Sequence, residues 1–460
     1  MIKNILLLFS FSILSGYSSA QNFSIIDTLP TGAYGTAEWG DFDHDGFQDL
    51  VYISQVLPDA VCKIYHNQNN VFTEVSQQFP LLFNPDAKWA DFDNDGFEDL
   101  IVCGLDSVLI NQTFIYRSLG NGTFISVPHS IPGISIGSID VADYNNDHLL
   151  DIAITGYRSL QGPVAYIFKN LGAFQFMDIG ATLSGIQRGE LSWADYNHDS
   201  LPDLVINGDI SPGVRMKFYR NMGSDVFQEE LFSFSGSAGT IDWIDYDLDG
   251  IDDIFISGSD STFTQNVSAL YRNDGSGNFT LIPTNIPEFG EPSAVDVADF
   301  NNDSIMDICL VGGNQIFNSY SIIAYGNGTP TFIIQPLPRA VIDNLFVDAS
   351  DLDNDGDMDL IMSTYILLND GITTEIHLSQ QEKSKTTVYP NPTNSELYIS
   401  SKEQAFSFEL FDLQGKLIKK NIIQRGHTEI SVSDMEEGIY SLKLIYPDGD
   451  SAIKKVCVIR

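Results

Sequence analysis

One ten-residue pattern recurs seven times and governs what this chain can fold into. It reads DFDHDGFQDL from Asp41, DFDNDGFEDL from Asp91, DYNNDHLLDI from Asp143, DYNHDSLPDL from Asp195, DYDLDGIDDI from Asp245, DFNNDSIMDI from Asp299 and DLDNDGDMDL from Asp351. Successive copies are separated by 50, 52, 52, 50, 54 and 52 residues. A near-constant period of this length marks an array of supersecondary units, each too small to bury its own apolar faces.

Every copy has the same surroundings. A short strand pattern precedes it (AEWGDF, AKWADF, LSWADY), and an apolar run follows (DLVYIS, DLIVCG, DIAITG). A third segment runs into an Asn/Gly turn (FIYRSLGNG, KFYRNMG, ALYRNDGSG), and a fourth ends the unit (TFISVP, NFTLIP, TFIIQP). Four short strands joined by such turns make one antiparallel sheet of the size of a propeller blade, and no helical periodicity interrupts them. The chain runs out soon after the seventh copy, whereas QNFSIID precedes the first without a blade of its own. Pairing that strand into the last blade closes the ring. The fold expected is all-β, a seven-bladed β-propeller over residues 21–379. An open β-solenoid is the competitor, but fifty-residue units exceed its usual turns.

Charge then asks what the array binds. The chain holds 62 acidic and 23 basic residues, a net of −39, and nearly all of the excess lies in the array, because residues 386–460 carry only −1. Such a surface repels nucleic acid and anionic lipid and attracts cations. In D-x-D-x-D-G-x-x-D, side-chain oxygens at positions 1, 3, 5 and 9 and the carbonyl at position 7 can wrap Ca²⁺, which takes six to eight oxygens, while glycine at position 6 permits the sharp turn.

The pattern resembles the calcium loop of the FG-GAP/VCBS repeat family, the repeats of integrin alpha-subunit propellers. The resemblance implies side-chain ligands Asp41, Asp43, Asp45 and Asp49 in loop 1, Asp91, Asp93, Asp95 and Asp99 in loop 2, Asp245, Asp247, Asp249 and Asp253 in loop 5, and Asp351, Asp353, Asp355 and Asp359 in loop 7. Loops 3, 4 and 6 depart from it. They offer Asp143, Asn145, Asp147 and Asp151; Asp195, Asn197, Asp199 and Asp203; and Asp299, Asn301, Asp303 and Asp307. The implied carbonyl donors are Phe47, Phe97, Leu149, Leu201, Ile251, Ile305 and Asp357. Asparagine at position 3 removes a charge, and His148, Ser200 and Ser304 at position 6 replace glycine at a backbone cost. Up to seven Ca²⁺ are therefore expected, held most tightly in loops 1, 2, 5 and 7.

Little else suggests chemistry. Cys62, Cys103, Cys309 and Cys457 show neither zinc nor redox spacing, and Cys103 and Cys309 sit in apolar runs as small hydrophobes. His44, His148 and His198 fall at non-ligand loop positions and should be exposed, and His66, His129 and His377 lack a partner motif. The chain carries no nucleophile elbow, HExxH or phosphate loop.

Both ends read as address labels. Lys3, the apolar run from Ile5 to Leu14 and Ser18-Ser19-Ala20 form an export signal over residues 1–20, and no later run is long enough to cross a membrane. After a polar linker at 380–386, residues 387–460 alternate as a small β-sandwich. Its YPNP, FDLQGK and EEGIYSLKL elements and basic end resemble the type A sorting domain of type IX secretion in Bacteroidota. That implies passage through the outer membrane by the type IX machinery, followed by release or surface attachment. The expected function is an extracellular recognition or adhesion module for glycan or protein ligands. A polysaccharide-cleaving propeller enzyme and a purely structural surface protein are the alternatives.

Overall fold

The computed structural model describes residues 23–30, 32–56, 59–209, 214–232, 238–260, 264–313, 319–338 and 346–369 of the array. Beyond it, the model describes 386–389, 396–401, 406–411, 416–423, 426–433, 435, 438–445 and 451–458. The export signal, most of the 380–386 linker and His377 lie outside the described residues.

The chain forms two compact units, residues 1–371 and 372–460. The first is a ring of seven four-stranded antiparallel sheets, and no helix occurs among the described residues. Blade 2 shows the plan. Its innermost strand A is Phe83–Ala90, followed outward by B (Asp99–Leu105), C (Asn111–Ser118) and D (Phe124–Val127). Strand B is the apolar run after each acidic segment, and in blade 2 six of its seven residues are buried. Both its faces meet neighbouring sheets, so the run is continuous instead of alternating. Strand D, at the rim, has exposed residues in its middle.

The seventh blade takes three strands from the end of the array, Val347–Ser350, Asp359–Met362 and Tyr365–Asn369. Its outer strand is Phe23–Thr28, which pairs antiparallel with Tyr365–Asn369, Phe23 opposite Asn369. The closure expected for QNFSIID is therefore the one the protein uses.

Core residues gather between consecutive blades. The loop aromatics Phe42, Phe92, Tyr144, Tyr196, Tyr246 and Phe300 are all buried at these interfaces. Phe42 of blade 1, for instance, stacks against Trp89 of blade 2 at 6.2 Å. Side chains of this size dominate core burial. The second unit is two sheets that share one core, including Leu397, Phe408, Leu410, Ile430 and Leu442.

Candidate metal centre

Each acidic segment is the loop from strand A to strand B, and the seven loops share one backbone. Position 4 is left-handed in all of them, at His44, Asn94, Asn146, His198, Leu248, Asn302 and Asn354, with φ between 56° and 61°. Position 6 is left-handed too. Glycine takes it in loops 1, 2, 5 and 7 (φ 82–94°), and His148, Ser200 and Ser304 take it at 67–70°. A side chain at such a φ carries strain that glycine avoids. The strained position 4 is not marked by glycine, and sequence reasoning passed over it.

The carboxylates organise these turns. Asp41 accepts the N–H of Asp45 through Oδ1 and that of Gly46 through Oδ2, both at 3.0 Å, and Asp45 Oδ1 accepts the Phe47 N–H at 2.9 Å. Equivalent bonds recur in all seven loops. The position-9 aspartates are fully or almost fully buried. Asp49 Oδ2 accepts the Phe42 N–H at 3.3 Å and Oδ1 the Asn67 N–H at 2.8 Å, so it ties its loop to strand C of the same blade. Burial pushes these carboxyls up, to about 8 in Asp49 and Asp307 and to about 7 in Asp99, Asp151, Asp203, Asp253 and Asp359.

Strand C extends the tie to the neighbouring blade. Asn67 Nδ2 donates to the Leu352 carbonyl at 3.1 Å, Asn170 to Phe92, Asn221 to Tyr144, Asn273 to Tyr196 and Asn369 to Phe300. In blade 2 the Ser118 hydroxyl makes this bond to Phe42. A disturbance in one loop therefore reaches the loop beside it.

Position 3 divides the loops into two kinds. In loops 1, 2, 5 and 7 the Oδ1 atoms of Asp43, Asp93, Asp247 and Asp353 are buried without a hydrogen-bond partner. An acceptor left so is costly unless something neutralises it. These are also loops where oxygens of three carboxylates converge within 4.8 Å: Asp41, Asp43 and Asp49; Asp91, Asp93 and Asp99; Asp245, Asp247 and Asp253; and Asp351, Asp353 and Asp355. Such groups can hold a metal ion. Loops 3 and 4 turn an amide donor inward instead, although Asn197 Oδ1 is also left without a partner. Asn145 Nδ2 donates to Asp151 at 2.7 Å, and Asn197 Nδ2 to Asp203 at 2.5 Å. In loop 6, Asn301 Oδ1 accepts the Asp303 N–H at 2.9 Å.

The position-7 residues Phe47, Phe97, Leu149, Leu201, Ile251 and Ile305 are half-buried. Where a strand C-to-D turn lies alongside, they pack on its glycine, as Phe97 does on Gly120 and Ile251 on Gly275.

Sequence reasoning also missed a basic residue placed one position before the strand-C asparagine or serine. His66, for which the sequence shows no partner motif, lies 3.2 Å from Asp43 Oδ2 and 3.4 Å from Asp45 Oδ2. The partner stands 21 residues upstream, and only the sheet brings it close. Arg117 reaches Asp93 and Asp95 at 2.8 and 2.7 Å, Arg272 reaches Asp247 and Asp249 at 2.5 and 2.7 Å, Arg220 reaches Asp199 at 3.0 Å, and Lys169 reaches Asp147 at 3.7 Å. The signal was present in IYHN, IYRS, IFKN, FYRN and LYRN. In loops 1, 2 and 5 the cation takes Oδ2 of position 3 and leaves Oδ1 unpartnered.

A second acidic group surrounds the axis. Strands A of all seven blades line a cavity of about 710 Å³. Around it stand Glu38, Asp86, Asp140, Glu190, Asp242, Asp296 and Asp348, with Lys88 bonded to Glu38 at 2.5 Å. Several of these carboxylates accept a backbone N–H of the next strand A: Asp348 from Trp39 at 2.7 Å, Asp86 from Ile139 at 2.6 Å, Asp140 from Trp193 at 2.9 Å, Glu190 from Ile241 at 3.1 Å and Asp296 from Ala349 at 2.5 Å. Burial raises Asp86 to about 7 and Glu190 and Asp242 to about 8.

These features define a class: seven-bladed propellers whose blades carry acidic rim loops able to hold a metal ion. The chain belongs to the FG-GAP-like repeat family, which matches residues 41–102, 91–154, 143–206 and 245–310 and stops short of loop 7. Residues 387–459 match the secretion system C-terminal sorting domain, so the protein is exported by type IX secretion to the cell surface or beyond. No helix among the described residues is long and apolar enough to cross a membrane. A search of curated proteins returned no significant match. Among solved structures the chain is similar to PorZ, a surface component of the type IX secretion system of Porphyromonas gingivalis, at 12% identity and a TM-score of 0.39. The match covers 94% of this chain and spans only 60% of PorZ.

Proposed function

We propose that the protein is an extracellular recognition module, stiffened by calcium at one face of the ring and binding a glycan or protein ligand at the other. The observation that carries the calcium reading is the set of unpartnered inner oxygens of Asp43, Asp93, Asp247 and Asp353, one in each of the four loops with a full set of aspartates. Bound there, Ca²⁺ would supply positive charge that offsets repulsion among the loop carboxylates. Asp41, Asp43 and Asp49 and their counterparts would hold it.

The loops from A to B and the turns from C to D share one face of an antiparallel blade, so the connections from B to C reach the other. There Val108 and Leu109 are 69% exposed, Ile110 is exposed and Leu160 is fully exposed. The two connections are tied together, because Asn111 Oδ1 accepts the Ser159 N–H at 2.9 Å and Asn111 Nδ2 donates to the Tyr157 carbonyl at 3.0 Å. Adjacent exposed apolar side chains on a braced surface support a contact role. The test is a screen of the secreted protein on immobilised glycans and surface proteins, with and without chelator. Leu109→Asp with Leu160→Asp should abolish binding and leave the melting temperature unchanged. Binding that survives both substitutions places the ligand elsewhere.

A second reading, a polysaccharide hydrolase, draws support from the raised carboxyls around the axial cavity. Five of those carboxylates, however, already hold neighbouring strands. Release of reducing sugar from polysaccharides, lost in Glu190→Gln, would establish it.

A further inference from the structure

Loop 7 combines three features that no other loop has together. The first is the absence of a built-in counter-charge. The strand-C position that is His66, Arg117, Lys169, Arg220 or Arg272 in blades 1 to 5 is Leu368 here. Asp353 Oδ2 instead accepts a hydrogen bond from Asn70 Nδ2 of blade 1 at 3.2 Å. Blade 6 also lacks the cation, having Tyr325, but its loop carries Asn301 at position 3 and so one carboxylate fewer.

The second is position 7. An apolar side chain stands there in six loops, and an aspartate in the seventh. Asp357 is only 5% exposed, and its Oδ1 has no hydrogen-bond partner. Its nearest charges are Asp355, Asp359 and Asp353. The other loops place an apolar group here because a turn from strand C to strand D can cover it. Blade 7 has no such turn, since its outer strand comes from the start of the chain. A carboxyl buried among carboxylates is compensated either by a proton or by a cation.

The third is location, for this loop belongs to the blade that closes the ring. Asp359 accepts the Leu352 N–H through Oδ2 at 2.8 Å and the Asn369 N–H through Oδ1 at 2.7 Å. Asn369 stands opposite Phe23 of the N-terminal strand. The loop also grips blade 1, where Asn354 Nδ2 donates to the Gly46 carbonyl at 2.8 Å.

We propose that loop 7 is the latch of the ring: a divalent cation of the calcium type, bound there with the Asp357 carboxylate as an additional ligand, holds the closing blade and its N-terminal strand in place. This rests on the calcium reading above and adds which site governs closure. Loops 1, 2 and 5 keep a basic side chain, His66, Arg117 or Arg272, against the position-3 carboxylate. Loop 7 has none.

The test is hydrogen exchange on the full secreted chain in calcium and after chelation, alongside terbium luminescence to count sites. Chelation should speed exchange of residues 23–28 and 365–369 about tenfold, the factor that about 1.4 kcal/mol of lost protection produces. Strands B of blades 2 and 5 should change far less. Asp357→Leu, which installs the apolar type of the other loops, should weaken terbium binding at one site about tenfold, and Asp357→Asn, which keeps the shape, should weaken the same site if the leucine variant misfolds. Leu368→Arg, which grafts the missing cation, should make the N-terminal strand indifferent to chelation. No terbium signal at all would end the calcium reading itself. Terbium binding with exchange that rises evenly around the ring, or with an affinity unchanged at every site in both Asp357 variants, would leave that reading intact and overturn the latch.

Discussion

Strand A of each blade feeds two acidic regions that lie three or five residues apart and resolve the same difficulty in opposite ways. At the rim, Asp351, Asp353 and Asp355 converge and leave an inner oxygen without a donor. At the axis, Asp348 gives Oδ2 to the Trp39 N–H of the next blade, and burial lifts its carboxyl well above the usual range. Rim carboxylates can be neutralised by an ion from outside. Axial ones are neutralised from within, by protons, by backbone donors and by Lys88. Acidity in this protein is therefore arranged in two ways, at the rim in groups that could take an ion and at the axis around donors that the protein supplies itself.

Metal removal gives the largest expected effect on that contrast. At ten to a hundred times the dissociation constant, each filled loop contributes about 1.4 to 2.7 kcal/mol, so chelation should lower the melting temperature markedly. Calorimetry with and without EDTA measures it, and coincident curves would leave the rim with no device of its own.

Next in size is Lys88→Met. It removes the ammonium held against Glu38, Asp140 and Asp348 and leaves those three carboxylates facing one another. With about a third of the lysine side chain open to solvent, the loss should be about 1–3 kcal/mol. Denaturant unfolding should show that loss undiminished by calcium; rescue by calcium would mean that axis and rim are not separate.

The pH dependence is smaller. Asp86, Glu190 and Asp242 bind protons more tightly folded than unfolded, so their contribution is complete below about pH 4 and is lost as pH rises through about 7 to 8. Melting temperature should fall over that window, and Glu190→Gln should flatten the slope. A slope unaltered by that change would assign the protons to other groups.

Within the rim, Asp249→Ala should reduce stability more when calcium is present than when it is chelated, because a metal ligand is then lost besides the bonds to Arg272 and the Ile251 N–H. Asn145→Ala should cost about 1 kcal/mol in either condition, because it removes the bond to Asp151 and no metal ligand of consequence. Thermal melts of both variants, with and without chelator, decide it. Equal calcium dependence would erase the distinction between full and asparagine-bearing loops.

Much of this was written locally. The loop motif, its strand context and its period are short-range features, so blade number, strand order and every rim carboxylate could be read residue by residue. Asn145 and Asn197 also announced that loops 3 and 4 differ. Their way of differing, with the amide turned onto Asp151 or Asp203, is a matter of side-chain direction that the motif does not encode. His66 and Arg117 were visible as basic residues. Their place over the loop follows from pairing strand B with strand C.

The repeat by itself determined the seven blades, the acidic loops and the strand left over for closure, because a period in sequence becomes a period in space whenever each unit must lean on its neighbour. The axial ring and the peculiarity of loop 7 were decided by tertiary structure alone. Trp39 and Asp348 are 309 residues apart and touch only because the ring closes. Asp357 is buried in the one blade whose outer strand arrives from the other end of the chain. Closure is a global event, and no local pattern records which side chains it will bring face to face.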